Sequence, residues 1–223
     1  MLTPLVQRLM VRGLRSTFRR VCWVGPLPDL PPDRPVAGYF NHHSFYDGYL
    51  GWALAHFLLK RAPITWMADW EAYPFFATVG AYPFPFDDPK QRVATIRRTA
   101  QRFEDPKTFL IYFPEAELHR PEDGILPFDT APFQRLDRLF PPKVWWPVAF
   151  HATWWGESLP TLLMAGGTPH PVSTGDEHER LTATLETARQ AHRTEARTIL
   201  DGHASPDERW NLSFAAPFFK RYL

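Results

Sequence analysis

A single cysteine, Cys22, stands among 223 residues, which excludes an internal disulfide and any cysteine-based metal cage. A reducing compartment is therefore expected. Excess charge of either sign is also missing: 25 Lys and Arg against 24 Asp and Glu leave a formal charge of +1, too little for a strongly basic nucleic-acid binder. Long apolar runs are absent too. The longest, YLGWALAHFLL at 49–59, falls well short of the ~20 residues that cross a bilayer and suits a buried helix instead. There is no internal repeat and no low-complexity linker.

What is present can build a core. Apolar residues make up 44% and aromatics 15% of a chain whose length fits one α/β domain. Strand-like and helical segments alternate: VAGYF at 36–40, a helix over 44–60, PITWMA at 63–68, a short helix over 69–78 and AYPFPF at 81–86. A charged helix over 89–103, TFLIYF at 108–113, a helix over 127–139, VWWPVAF at 144–150 and LLMA at 162–165 continue the rhythm. A polar helix over 177–202 and the aromatic tail WNLSFAAPFFKRYL close it, and the 24 prolines sit mostly between elements. The expected architecture is a layered α/β fold with a mixed, largely parallel central sheet flanked by helices.

The first 24 residues read separately, as an amphipathic basic helix ahead of a single domain over 25–223. Leu2, Leu5, Val6, Leu9 and Met10 recur at helical spacing beside Arg8, Arg12, Arg15, Arg19 and Arg20, and no acidic residue precedes Asp29. Arginines interrupt each apolar run, so the segment reads as neither a signal peptide nor a span. It either anchors the chain to a membrane surface or packs on the domain with a solvated basic face. The tryptophans at 145, 146, 154 and 155 and Phe214, Phe218 and Phe219 admit the same two readings, interfacial belt or core.

Chemistry concentrates after the first alternating strand, in FNHHSFYDG at 40–48. The plain reading is a helix start, with Ser44 as cap and Asp47 three residues on. If His42 lies outside the helix and folds back over its N-terminus, Asp47 can also accept its Nδ1 proton and leave Nε2 free as a base. A second stretch, FPEAELHRPEDGILPF from Phe113, follows another strand. His43 and His119 read as local hydrogen-bonding groups; no third ligand is in view, and no metal is expected.

Asn41-His42-x-Ser44-x-x-Asp47 followed some seventy residues later by Phe113-Pro114-Glu115 resembles the glycerolipid acyltransferases of the lysophosphatidic acid acyltransferase type. The resemblance spans roughly residues 35–151, including Ala62–Ala68 and the proline-bearing strand at Trp146-Pro147-Val148-Ala149. It implies a glycerol-3-phosphate acyltransferase-like fold and transfer of an acyl group from coenzyme A or acyl carrier protein to a lipid hydroxyl. His42 would be the general base and Asp47 its orienter, with no covalent intermediate and no cofactor. Asn41, Ser44, Phe113, Pro114 and Glu115 would contact substrate, at the cytoplasmic face of the membrane.

Two departures stand out. The third block reads Phe113-Pro114-Glu115-Ala116-Glu117 where the family continues Gly-Thr-Arg, and the second ends in Asp87-Asp88 where an arginine should grip the acceptor phosphate. A carboxylate there opposes a phosphate, unless Arg92 or Arg120 substitutes. An acceptor without that phosphate, such as a sugar or an amino-acid lipid, is the alternative. Lys90, Arg92, Arg97, Arg98 and Arg102 either receive an acidic carrier or coenzyme A phosphates, or form a solvated face. An inactive lipid-binding protein of the same fold, or a thioester hydrolase, are the competing functions.

Overall fold

A computed structural model describes residues 2–203 and 213–220. Eight strands form one sheet in the order β4-β3-β5-β2-β6-β7-β1-β8, where β1 is Arg20–Val24, β2 Val36–Phe40, β3 Ala62–Met67, β4 Ala81–Pro83, β5 Thr108–Tyr112, β6 Val144–Thr153, β7 Thr161–Gly166 and β8 Ala196–Asp201. Strands β4 to β6 run parallel; β7 pairs antiparallel with β6 and parallel with β1, and β8 closes the other edge antiparallel to β1. The protein is thus α/β, with a mixed, mostly parallel sheet flanked by helices.

Alternation along the strands sorts side chains into two layers. Val36, Phe40, Phe109, Ile111, Trp146 and Val148 face a core shared with helix α1 (Leu2–Thr17) and helix α2 (Asp47–Ala53). Ala37, Tyr39, Leu110, Trp145 and Ala149 face the other, under helices α3 (Pro89–Arg102), α4 (Ala131–Leu139) and α5 (Glu177–Gln190). The connection from β2 to β3 carries α2 over one face, whereas that from β5 to β6 carries α4 over the other. Neighbouring strands β2 and β5 therefore send their loops apart, and a crevice opens beyond their carboxyl ends.

Several elements differ from the sequence reading. The N-terminal helix stops at Thr17 rather than running to residue 24, because Arg20–Val24 is an inner strand. Val21 prolongs the Leu14-Phe18 helical spacing, but it and Trp23 face one layer while Cys22 and Val24 pack with Leu163 and Ala188 on the other. Burial raises the Cys22 thiol pKa, so it is a core residue rather than a nucleophile. The helix over 177–202 ends at Gln190, and Ala196–Asp201 pairs with β1. The two unexpected strands complete each other, an association between distant segments that periodicity does not register. The segment 69–78 is two 3-10 turns, Trp70–Ala72 and Pro74–Val79, separated at Tyr73. The helix expected over 44–60 begins at Asp47 and finishes as a π-helical turn, Leu54–Leu59. Of the aromatic tail, residues 210–212 and 221–223 lie outside the described residues.

Two glycines fix close approaches. A Cβ on Gly51 would stand 2.8 Å from Ile111 Cγ2, so its absence lets α2 press onto β5. Gly80, at φ +102°, precedes β4, where a Cβ would lie 2.0 Å from the Pro63 carbonyl oxygen. Gly80→Ala should cost about 2–3 kcal/mol by urea denaturation, the left-handed penalty plus displaced backbone. Gly156→Ala, also at positive φ but with nothing within 4 Å, should cost about 1 kcal/mol. Equal losses would show that the Pro63 contact contributes nothing.

Candidate active site

The turn leaving β2 is organised by one buried carboxylate. Asp47, 1% exposed, lies in the first turn of α2, and its Oδ2 accepts from the backbone N–H groups of His43 (2.7 Å) and Ser44 (2.8 Å). Ser44 Oγ in turn accepts from the N–H of Tyr46, so these bonds fix the turn ahead of the helix; Ser44 is not the cap expected of it, because the residue preceding the helix is Tyr46 and no side chain caps the first turn. The same Oδ2 lies 3.2 Å from His42 Nδ1. Since a carboxylate only accepts, Nδ1 carries the proton and donates, which leaves the Nε2 lone pair free. His42 stacks on Phe113 with ring centroids 4.3 Å apart, and Nε2 has no partner among the described residues.

His43 is wired the opposite way. Its Nε2 lies 2.7 Å from the Gly124 carbonyl and must donate, so Nδ1 accepts from the Asn41 amide at 2.9 Å. Asn41 is fully buried; its Nδ2 also donates to the Phe150 carbonyl, and its Oδ1 accepts from the Phe150 N–H. Each polar position of the amide is used internally, so Asn41 clasps β2 to β6 and sets the His43 tautomer, with no surface left for the substrate contact expected of it. Both ring nitrogens of His43 are occupied, and it has no lone pair to offer a hydroxyl.

Glu115 also departs from the expected substrate contact. Its side chain has 0% exposure: Oε1 accepts from the His42 N–H at 2.9 Å, and Oε2 accepts from the Leu126 N–H and His119 Nε2, each at 2.6 Å. The carboxylate ties the β2 turn, the β5 turn and the 119–126 loop together, and holds the His42 main chain. It also supplies the third group missing from the metal reading, since one ligand atom each of His43, Glu115 and His119 lie within 4.8 Å of one another. Coordination there would compete with bonds already made, because both ring nitrogens of His43 are engaged, by the Gly124 carbonyl and the Asn41 amide, and His119 Nε2 is bonded to Glu115 itself.

His42 opens on a cavity of about 390 Å³, within the ~300–1,000 Å³ of small-molecule sites. Its wall is mostly apolar and aromatic, with Tyr49, Trp52, Met67, Phe76 and Phe113 among the lining residues, and Asp69 supplies a carboxylate. No lysine or arginine lines it among the described residues. Arg92 projects from α3 outside this lining, and Arg120 is paired with Asp123 at the surface, so neither of the two arginines singled out in the sequence borders the cavity. Ser44 and Pro114 belong to the two turns, and neither borders the cavity. The aromatics from α2 and the 3-10 turns went unassigned in the sequence reading, although Phe45, Tyr49, Tyr73 and Phe76 recur there at short intervals.

The arrangement can take a proton at His42 Nε2 from a group entering an apolar cavity, with Asp47 stabilising the cation that forms. No protein-family model matches the chain, and a search of curated proteins finds no match either.

Two predictions follow from the wiring. Glu115→Gln keeps the shape, but whichever way the amide turns, the N–H of His42 or of Leu126 then faces an NH₂ group; a loss of about 1–3 kcal/mol in urea denaturation is expected. An unchanged midpoint would mean that the carboxylate bonds are dispensable. Burial also lowers the pKa values of His43, His151 and His170 from the ordinary 6.5. Below 6.5 the unfolded rings bind more protons than the folded ones, so this stability is complete above 6.5 and drains away as pH falls through the folded values. The denaturation midpoint at pH 5.5 should therefore lie below that at pH 7.5, and a flat profile would count against neutral buried rings.

Proposed function

We propose that the protein is an O-acyltransferase with a glycerol-3-phosphate acyltransferase-like fold, moving an acyl group from coenzyme A or acyl carrier protein to a hydroxyl of a lipid acceptor. The observation that carries this reading is His42, with Nδ1–H held by Asp47 and Nε2 open to an apolar cavity at the crevice beyond β2 and β5. The acyl chain would occupy the cavity, displacing water from its aromatic wall. His42 Nε2 takes the acceptor's hydroxyl proton as its oxygen attacks the thioester carbonyl. The tetrahedral intermediate then expels the thiolate, which recovers the proton from the imidazolium. The Asp47 carboxylate stabilises that imidazolium, and no resident cofactor or metal is required for these steps.

The cavity wall favours a hydroxyl whose surroundings carry no phosphate, because an acidic residue, Asp69, lines it and no lysine or arginine does among the described residues. In this reading Glu115 positions His42 rather than gripping the acceptor.

The protein would work from a membrane surface. Phe45, Phe86 and Leu118 are 55%, 67% and 52% exposed and line the cavity, while Leu2, Leu5 and Leu9 form an exposed stripe on α1. No helix among the described residues is long and apolar enough to cross a membrane. Peripheral attachment at the cytoplasmic face fits these surfaces and the reducing compartment expected from the lone cysteine.

Purified protein should consume acyl thioesters and acylate a lipid hydroxyl, and His42→Ala should lower kcat by about 10²–10⁴. Product mass spectrometry with phosphorylated and unphosphorylated acceptors reads the outcome. Free fatty acid as sole product, lost in the variant, would make the protein a thioester hydrolase. Absence of turnover across a broad panel would make it a lipid-binding protein.

A further inference from the structure

Trp52 lines a second cavity as well as the one on which His42 opens. This groove, of about 610 Å³, runs between α1 and the π-helical turn. Arg8, Arg12 and Arg15 line one wall, at i, i+4 and i+7 along one helix face, and His56 and Phe57 of the π turn line the other. His203 closes one end, its N–H bonded to the Arg15 carbonyl at 2.9 Å.

Two observations separate this groove from an ordinary solvated face. The three guanidinium groups are exposed, and the ion pairs of the described residues include none of them, although acidic residues elsewhere pair repeatedly with arginine. Three like charges concentrated along a concave wall generate a positive potential that an anion relieves. The opposite wall departs from regular α-helix: the π turn, closed by Lys60 in a left-handed conformation, brings His56 and Phe57 to the groove, and His56 stacks on Trp52 with centroids 4.9 Å apart. Such turns are frequent at functional sites.

The helix also indicates which anion. Leu2, Leu5 and Leu9 are 62%, 53% and 54% exposed and recur at i, i+3 and i+7, on a stripe beside the arginines. A bilayer presents phosphates and acyl chains side by side, in the same order as these two stripes.

We propose that the groove between α1 and the π turn binds the phosphate of an anionic phospholipid headgroup, at a site separate from the catalytic cavity. The inference rests on the membrane-surface reading and is independent of turnover. It assigns the cationic site to the membrane rather than to the acyl acceptor, whose own cavity has no lysine or arginine among the described residues. A headgroup held by Arg8, Arg12 and Arg15 would set α1 on the lipid surface with its leucines inserted, bringing Phe45 and Phe86 at the cavity mouth towards the acyl layer.

Vesicle sedimentation of the full chain tests this with phosphatidylcholine alone and with phosphatidylcholine containing phosphatidic acid. Wild type should partition more strongly to the anionic vesicles, and the triple variant Arg8→Gln, Arg12→Gln, Arg15→Gln should lose that gain, on the order of fivefold per arginine. Its binding to neutral vesicles should persist, and its urea-denaturation midpoint should match that of wild type, which shows that it is folded. The control Lys90→Gln, Arg97→Gln, Arg102→Gln removes equal charge from α3 and should keep the gain. Equal loss in both triples, or release by chloride as effective as by glycerol phosphate at matched ionic strength, would reduce the effect to diffuse electrostatics and overturn the site. Glycerol phosphate bound by wild type without any preference for anionic vesicles would overturn the headgroup in favour of a soluble phosphate ester. Wild type that ignores both vesicle types would overturn the membrane reading and the inference with it. Vesicle binding that depends on Leu2, Leu5 and Leu9 and not on the arginines would remove the inference alone.

Discussion

The site is held by the side chain of Glu115, a carboxylate with no exposed surface that stands in the β5 turn and accepts three hydrogen bonds, one from the β2 turn and two from the 119–126 loop. Two strands leave the sheet side by side and send their connections to opposite faces, so their terminal turns have little reason to stay together. A buried carboxylate lacking partners would be costly, and here the need for them draws the turns of β2 and β5 and the 119–126 loop to one point. Asp47 repeats the device on a smaller scale, bonding two backbone N–H groups and one imidazole through a single oxygen. Between them the two acids fix the main chain and the ring of His42.

Adjacent histidines acquire opposite chemistry from this frame. His42 faces an acceptor at Nδ1 and a cavity at Nε2. His43 faces a donor at Nδ1, a carbonyl at Nε2, and burial that lowers its pKa. Asn41 enforces the difference, because its amide cannot turn over without breaking both bonds to Phe150. The residues one might expect to touch substrate therefore divide into those that border the cavity, His42 and Phe113, and those that hold the border in place, Asn41 and Glu115.

Much of this was legible in the sequence because it is local. The contact from His42 to Asp47 was open to the sequence on one condition, that His42 stay outside the helix, which starts only at Asp47; the alternation of strands and helices carries the layered sheet. Strands β1 and β8 were not legible, since Val21 continues a helical stripe and the pairing of Ala196–Asp201 with Arg20–Val24 joins the two ends of the chain. The role of Glu115 was hidden for a related reason: a glutamate in an exposed-looking turn reads as a ligand for something outside, and its internal partners at 42, 119 and 126 become visible only once the sheet brings three turns together. Arg92 and Arg120 were drawn in by charge alone, and their elements place them away from the cavity. The basic groove was similarly invisible, for it needs the α1 arginines and a π turn some forty residues on.

The central claim is that His42, and not His43, offers a free ring nitrogen, so the most direct measurement is the tautomer of each ring. Nitrogen-15 NMR of histidine-labelled protein near pH 7.5, assigned with single-residue variants, reports which nitrogen carries the proton. The account predicts Nδ1–H for His42 and Nε2–H for His43. An Nε2–H tautomer at His42 would leave no lone pair facing the cavity and would contradict it.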